Sequence, residues 1–153
     1  MSDNPLVTVN ILSFNRKDEL RNTLTKVYEQ DYKNIEVIVV DNASSDGSSE
    51  MVKSEFPEVQ LIQMTKNIGI AGWNEGFKVA KGEYVLVLDD DAYPAKNAIT
   101  LSLDEFESDD TLACITLNLI DVNTKDFYCG NWLPKDKKNR MVWPVFIGCG
   151  FIV

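Results

Sequence analysis

The chain has 153 residues, 44% of them hydrophobic and 25% charged, which suits one globular domain with a real core and excludes a disordered polypeptide. A net charge of −9 argues against a surface built to coat nucleic acid. The absence of histidine removes the commonest general base and the commonest transition-metal ligand, so any catalytic base has to be a carboxylate.

Met1 to Pro5 has neither the basic start nor the apolar stretch of a signal peptide, and no segment approaches the roughly 20 apolar residues of a membrane helix. Cys114, Cys129 and Cys149 are odd in number, far apart and in apolar company. They read as reduced core residues of a cytoplasmic protein, in which the Asn42-Ala43-Ser44 sequon is a chance match.

Leu6 to Ser13 is β-branched and apolar, a first strand. Leu20, Leu24, Val27 and Tyr28 recur at helical spacing between Asp18 and Gln30. Ile35 to Asp41 reads as a second buried strand ending in an acid. Asn42 to Gly47 is turn chemistry, with Ser45 or Asp46 as the cap of a helix running to about Phe56. Val59 to Met64 forms a third strand. The loop Thr65 to Gly69 leads into a helix carrying Trp73, Phe77 and Ala80 that ends near Gly82.

Tyr84-Val85-Leu86-Val87-Leu88 is an unbroken apolar run, the mark of a strand buried on both faces, and Asp89-Asp90-Asp91 follows it directly. After Pro94 comes an amphipathic helix with Ile99, Leu101, Leu103 and Phe106. Strand and helix thus alternate as in a parallel, doubly wound sheet. Beyond this, Leu112 to Val122 looks like a long strand, Asn123-Thr124-Lys125 like a hairpin turn, and Phe127 to Cys129 like its return. Trp132 to Arg140 is a polar loop, and Val142 to Val153 is apolar again. The expected division is one domain over 1–153, with a ligand-binding portion at about 5–110 and an incomplete second portion at about 111–153. The stop at Phe151-Ile152-Val153, inside an apparent core strand, suggests that the rest of a larger domain is missing.

Three acids after a buried strand are electrostatically awkward. Two carboxylates about 4 Å apart repel by roughly 4 kcal/mol at an effective dielectric of 20, and a hard divalent cation offsets that directly. An extended backbone would send Asp89 and Asp91 to one side and Asp90 to the other. Parallel pairing would bring Asp41 and Asp89 to the same edge of the sheet, where open α/β sheets bind ligands. The alternative makes these acids helix caps or solvated turn residues. Asn67 to Gly76 gathers small residues at a helix start, which favours phosphate approach but also suits plain helix packing. Trp132, Trp143, Lys135, Lys137, Lys138 and Arg140 would form either an acceptor or lipid-facing surface or a solvated loop.

Four ordered motifs, Val7 to Arg16, Val39 to Gly47, Asn67-Ile68-Gly69 with Asn74-Glu75-Gly76, and Leu88 to Ala92, together resemble glycosyltransferase family 2. The closing Phe146 to Ile152 resembles that family's later glycine-containing strand. The resemblance implies the GT-A fold, an α/β, mostly parallel sheet flanked by helices. It also implies inverting sugar transfer from a nucleotide-sugar donor, with UDP- and dTDP-sugars first. The acceptor would be a hydroxyl of a glycan or lipid-linked glycan in bacterial polysaccharide synthesis. By the same resemblance Phe14 and Asn15 lie beside the donor base, and Asp41 accepts a hydrogen bond from a uracil or thymine imide. Asn67, Gly69, Asn74, Asp89 and Asp90 belong to the donor nucleotide site. Asp89 and Asp91 hold Mg²⁺ or Mn²⁺ against the diphosphate, with Asp91 the leading ligand.

The family's general base lies downstream of its last glycine strand, beyond Val153, and none of Asp121, Asp126 or Asp136 has a matching context. Expected partners are the donor and acceptor, without nucleic acid. The expected location is cytoplasmic, with room for peripheral contact at the inner face of the membrane. The rival readings are a nucleotide-sugar-binding module without catalysis, and a sugar-phosphate nucleotidyltransferase. The latter lacks its basic, glycine-rich first loop. A haloacid-dehalogenase-type phosphatase would need its Asp-x-Asp after the first strand and Thr or Val in place of Tyr93.

Overall fold

The computed structural model describes residues 4–121, 123–125 and 150–153. Its centre is a six-stranded sheet in the order β3-β2-β1-β4-β6-β5. The strands are β1 (Val7–Ser13), β2 (Ile35–Asp41), β3 (Gln60–Gln63), β4 (Tyr84–Asp89), β5 (Ile115–Thr116) and β6 (Phe151–Ile152). The first four pair in parallel, and β6 runs antiparallel to both β4 and β5. This is the mixed sheet, parallel over its first four strands, that the alternation of elements predicts.

The two-residue period of β1 assigns its faces. Val7, Val9 and Ile11 join the apolar core with Leu20, Leu24 and Val27 of α1 (Lys17–Tyr28) and Met51 and Val52 of α2 (Ser48–Glu55). Ile99, Leu103 and Phe106 of α4 (Ala98–Ser108) belong to the same cluster, and the Phe106 and Tyr84 rings meet at 4.8 Å. Thr8, Asn10 and Leu12 carry the other side. They form a rail on which the chain around α3 (Trp73–Phe77) lies at close range.

That close approach explains the glycines. A Cβ on Gly76 would collide with the Asn10 side chain, one on Gly72 would come within 2.5 Å of Leu12 Cδ1, and one on Gly82 would come within 2.5 Å of the Thr8 backbone nitrogen. Helix packing therefore accounts for Gly72 and Gly76. The segment is also less regular than its apolar spacing predicts. A 3₁₀ turn over Gly69–Gly72 precedes α3, which ends at Phe77, and single turns carry the chain on to Ala80.

The expected long strand over Leu112 to Val122 is a second correction, because only Ile115–Thr116 pairs. Strand propensity there is met by a β6 partner of only two described residues. Asp121 then folds the chain over, its Oδ1 accepting the backbone N–H groups of Asn123 (2.8 Å) and Thr124 (2.9 Å). The turn at 123–125 is thus present. The return strand at Phe127 to Cys129, the Trp132 to Arg140 loop, Trp143, Cys129 and Cys149 lie outside the described residues. Cys114 is half-buried, and burial pushes its thiol pKa up.

Candidate functional site

The register of the three central strands builds the site. Ser13 pairs with Asp41 on one side, and Leu12 pairs with Asp89 on the other. The two acids therefore flank the end of β1 on one edge, roughly 10 Å apart across two strand spacings. Phe14, Asn15 and Arg16 leave β1 between them.

On the β2 side the turn is closed by its own hydrogen bonds. Asp41 is buried; its Oδ1 accepts the Ser44 N–H at 2.9 Å, and its Oδ2 accepts a short hydrogen bond from the Ser49 hydroxyl. Each carboxylate oxygen retains a further lone pair. Asn15 Oδ1 accepts the Ser45 N–H at 2.7 Å and the Asn15 N–H donates to Ser44 Oγ at 2.9 Å, stapling the β1–α1 loop to the β2–α2 loop. Both loops use left-handed backbone, at Asn15 (φ 53°) and Ala43 (φ 68°). Asn tolerates that conformation well, whereas Ala stores about 1–2 kcal/mol there.

Asp46 ties two helices to this turn. Its Oδ2 accepts the N–H of Lys17, first residue of α1, at 2.8 Å, and its Oδ1 accepts that of Ser48, first residue of α2, at 3.0 Å. Gly47, at φ 86°, supplies the left-handed step between them. The cap positions themselves are Arg16 and Gly47, not the expected Ser45 or Asp46, and Asp46 instead ties the first residues of both helices from just outside them.

A third loop is fastened to Asn42, which is buried. Its Nδ2 donates to Asn67 Oδ1 (2.9 Å) and to the Gly69 carbonyl (3.0 Å), and its Oδ1 accepts the Ile68 N–H (2.9 Å). Gly69 takes φ 63° with open space where a Cβ would stand. Asn74 is exposed on α3, and no side-chain hydrogen bond ties it to the others among the described residues.

At the β4 end the structure corrects the expected alternation of the three acids. Asp89 is the last strand residue, and the chain turns at Asp90 and Asp91, so the two-residue period stops there. Asp90 is buried. Its Oδ2 accepts the Phe14 N–H at 3.1 Å, its carbonyl accepts the Thr23 hydroxyl at 2.8 Å, and its Oδ1 lies 3.5 Å from Arg16 Nη1. The same Arg16 Nη1 makes a short ion pair with Asp91. Arg16 thus supplies a counter-charge from within the chain.

Asp89 is half-buried, and its carboxylate meets no hydrogen-bond donor among the described residues. Burial, then repulsion from Asp91 and Asp90, holds its pKa above the usual carboxylate range against the pull of Arg16. Burial likewise raises Asp90, outweighing the Phe14 N–H and Arg16. Among the described residues no group of three or more His, Cys, Asp or Glu is preassembled around a metal position. None of their helices is long and apolar enough to cross a membrane.

Arg16, Asn42 and Thr23 carry this geometry without having been assigned a role from sequence. Arg16 was the most accessible of them. It follows β1 by three residues and the acids end β4, so adjacency of those strands places the charges together.

A parallel sheet with acids at the ends of two strands flanking a third, and an antiparallel strand on its far side, is the GT-A glycosyltransferase architecture. The chain matches the family model for glycosyl transferase family 2 over residues 8–149, and it belongs to that family. It is 27% identical over 146 residues to a chondroitin synthase of Escherichia coli, covering 93% of this chain and 20% of that protein. It is 35% identical over 91 residues to the Escherichia coli UDP-Glc:alpha-D-GlcNAc-diphosphoundecaprenol beta-1,3-glucosyltransferase WfaP, covering 58% of this chain and 36% of that one. Among solved structures, the Pyrobaculum calidifontis mannosyltransferase PcManGT, in complex with GDP-Man and Mn²⁺, superposes with a TM-score of 0.69 at 30% identity. That match covers 77% of this chain and 36% of the other. The chain thus spans between a fifth and somewhat over a third of the length of these relatives.

Proposed function

We propose that this chain is the donor-binding portion of a metal-dependent, inverting glycosyltransferase that takes a UDP- or dTDP-sugar. The acceptor we propose is a hydroxyl of a glycan or lipid-linked glycan in bacterial polysaccharide synthesis. The observation that carries this reading is the convergence of the β1–α1 loop, the Asp41 turn, the Asn67–Gly69 loop and the β4 acids on one edge of the sheet. Relatives whose names specify UDP-Glc or a complex with GDP-Man and Mn²⁺ support a nucleotide-sugar donor and a divalent cation.

The residues fit the metal by two tests. The donor set is carboxylate oxygen, which suits Mg²⁺ or Mn²⁺, and a cationic group already stands against Asp91. Asp89 and Asp91 would hold the ion, and diphosphate oxygens and water would supply its remaining ligands, as is usual for a hard ion at a phosphate site. A cation held there would supply neutralisation of the charge that grows on the nucleoside diphosphate leaving group.

The chain's own groups position the donor. The half-exposed Phe14 ring offers a face to the base, beside Asn15. Asp41 is held rigidly enough by Ser44 and Ser49 to accept an imide N–H through a remaining lone pair. The loop over Asn67 and Gly69, set by Asn42, would bring backbone close to the nucleotide, and Asn74 is the further donor-site residue we propose. Among the described residues we assign no general base. Nucleotide binding is the property this reading predicts for the chain, and a nucleotide-sugar-binding module would show it too.

The test is ligand binding. UDP or dTDP with Mn²⁺ raises the melting temperature and shifts amide resonances around Asp41, Asn67 and Asp90, and GDP does so less. Unchanged spectra with all three nucleotides, in this chain and in a longer natural form, would refute the assignment. Turnover of nucleotide sugars by the longer form separates an enzyme from a binding module.

A further inference from the structure

We propose that Arg16 is an exchangeable counter-ion, neutralising Asp91 in the metal-free protein and releasing it when a divalent cation binds. This rests on the metal reading proposed above and extends it to a residue outside the acid cluster.

The three acids are held unequally. Asp90 is fixed: its side chain is 8% exposed, Oδ2 accepts the Phe14 N–H and its carbonyl accepts the Thr23 hydroxyl. Asp91 and Arg16 have side chains 49% and 51% exposed, and their ion pair is the only hydrogen bond or salt bridge of Asp91's side chain among the described residues. Half-exposed pairs of this kind are worth little, so the link breaks easily. The Asp89 carboxylate, which repels Asp91, accepts no hydrogen bond among the described residues.

A cation gripped by Asp89 and Asp91 therefore competes with Arg16 for Asp91 and leaves Asp90 undisturbed. A guanidinium does not lose its charge at any ordinary pH, so it vacates Asp91 only by moving. Asp91, then Asp90, raise its pKa further. Once released, Arg16 still lies near Asp90, at the mouth of the site where a diphosphate would sit. Its planar fork of donors suits phosphate oxygens as well as carboxylate. Metal and nucleotide then load together, because the nucleotide gives Arg16 a second partner as the metal takes its first.

The experiment is a Mn²⁺ titration of the whole chain by electron paramagnetic resonance, with and without UDP. Without nucleotide, R16Q is expected to bind Mn²⁺ about two- to fivefold more tightly than wild type, the worth of a half-exposed ion pair. R16K, which keeps the charge, stays near wild type. With UDP present the advantage of R16Q disappears, because the diphosphate already engages Arg16 in wild type.

Equal or weaker Mn²⁺ binding by nucleotide-free R16Q overturns the exchange while leaving the metal site standing. No Mn²⁺ uptake by wild type even with UDP overturns the metal reading and the exchange with it. Since R16Q could lose stability, wild type supplies an independent readout. The Arg16 Nε–Hε resonance should shift when Mg²⁺ and UDP are added together, and a resonance that ignores them overturns the proposal.

Discussion

Two acidic turns face each other across the end of β1, and the chain treats their carboxylates in opposite ways. In the β2–α2 turn, burial pushes Asp46 upward, but the Ser48 hydroxyl and the backbone N–H groups of Lys17 and Ser48 outweigh it and hold the pKa below the usual range. Asp41 beside it has a donor on each oxygen. At the end of β4, burial and neighbouring acids hold Asp89 above that range, and Asp90 is also raised. The first turn is electrostatically complete and acts as a fastening for α1, α2 and the β1 loop. The second has carboxylates whose charge is less fully met, which on the reading proposed above suits it to a cation, whereas the first offers Asp41 as a fixed acceptor.

The largest expected effect breaks the second turn. Asp91→Ala should abolish Mn²⁺-dependent nucleotide binding, a loss of more than tenfold in affinity, while the unfolding midpoint stays within about 0.5 kcal/mol of wild type, as for an exposed position. Calorimetric titration with UDP and Mn²⁺, paired with a urea melt, reads both quantities. Retained binding would show that Asp91 is not a ligand.

A smaller effect probes the scaffold between the turns. Asn42→Ala removes three hydrogen bonds at a buried position, each worth about 1 kcal/mol net, and should cost about 2 kcal/mol of stability. It also frees the Asn67–Gly69 loop, so nucleotide affinity should fall severalfold even with saturating Mn²⁺. A stability loss without an affinity loss would make Asn42 a fastening only, with no part in shaping the donor site.

The contrast between the turns also explains what was legible in the sequence. β2 is Ile35–Asp41, as the apolar run indicated, and β1 and β4 differ from expectation by one residue, because strands buried on both faces announce themselves by continuous apolar composition. Parallel pairing was enough to bring Asp41 and Asp89 to one edge. What failed was whatever depended on a partner. The region after Leu112 has strand-forming residues but little for them to pair with among the described residues, and α3 is shortened because Gly72 and Gly76 answer to Asn10 and Leu12 of β1. The charge of Arg16 was visible, but its role was not, because the acids were weighed without the cation that strand order sets opposite them.

The smallest effect sharpens the comparison from the structural side. Asp46→Ala removes the carboxylate that ties the starts of α1 and α2 and should cost about 1 kcal/mol at neutral pH, the scale of a net hydrogen bond at an exposed site. The sign of its pH dependence follows from the direction of the shift. A carboxyl whose folded pKa is depressed contributes stability above its unfolded value of 3.8, and that contribution is lost as pH falls through the lower folded value. Wild type and Asp46→Ala should therefore differ most above about pH 4 and converge on further acidification, which urea melts across that range would measure. A difference that persists unchanged in acid would mean that Asp46 holds the two helices by hydrogen-bond geometry alone. The charge would then contribute nothing, and the division between a satisfied turn and an unsatisfied one would rest on the β4 acids by themselves.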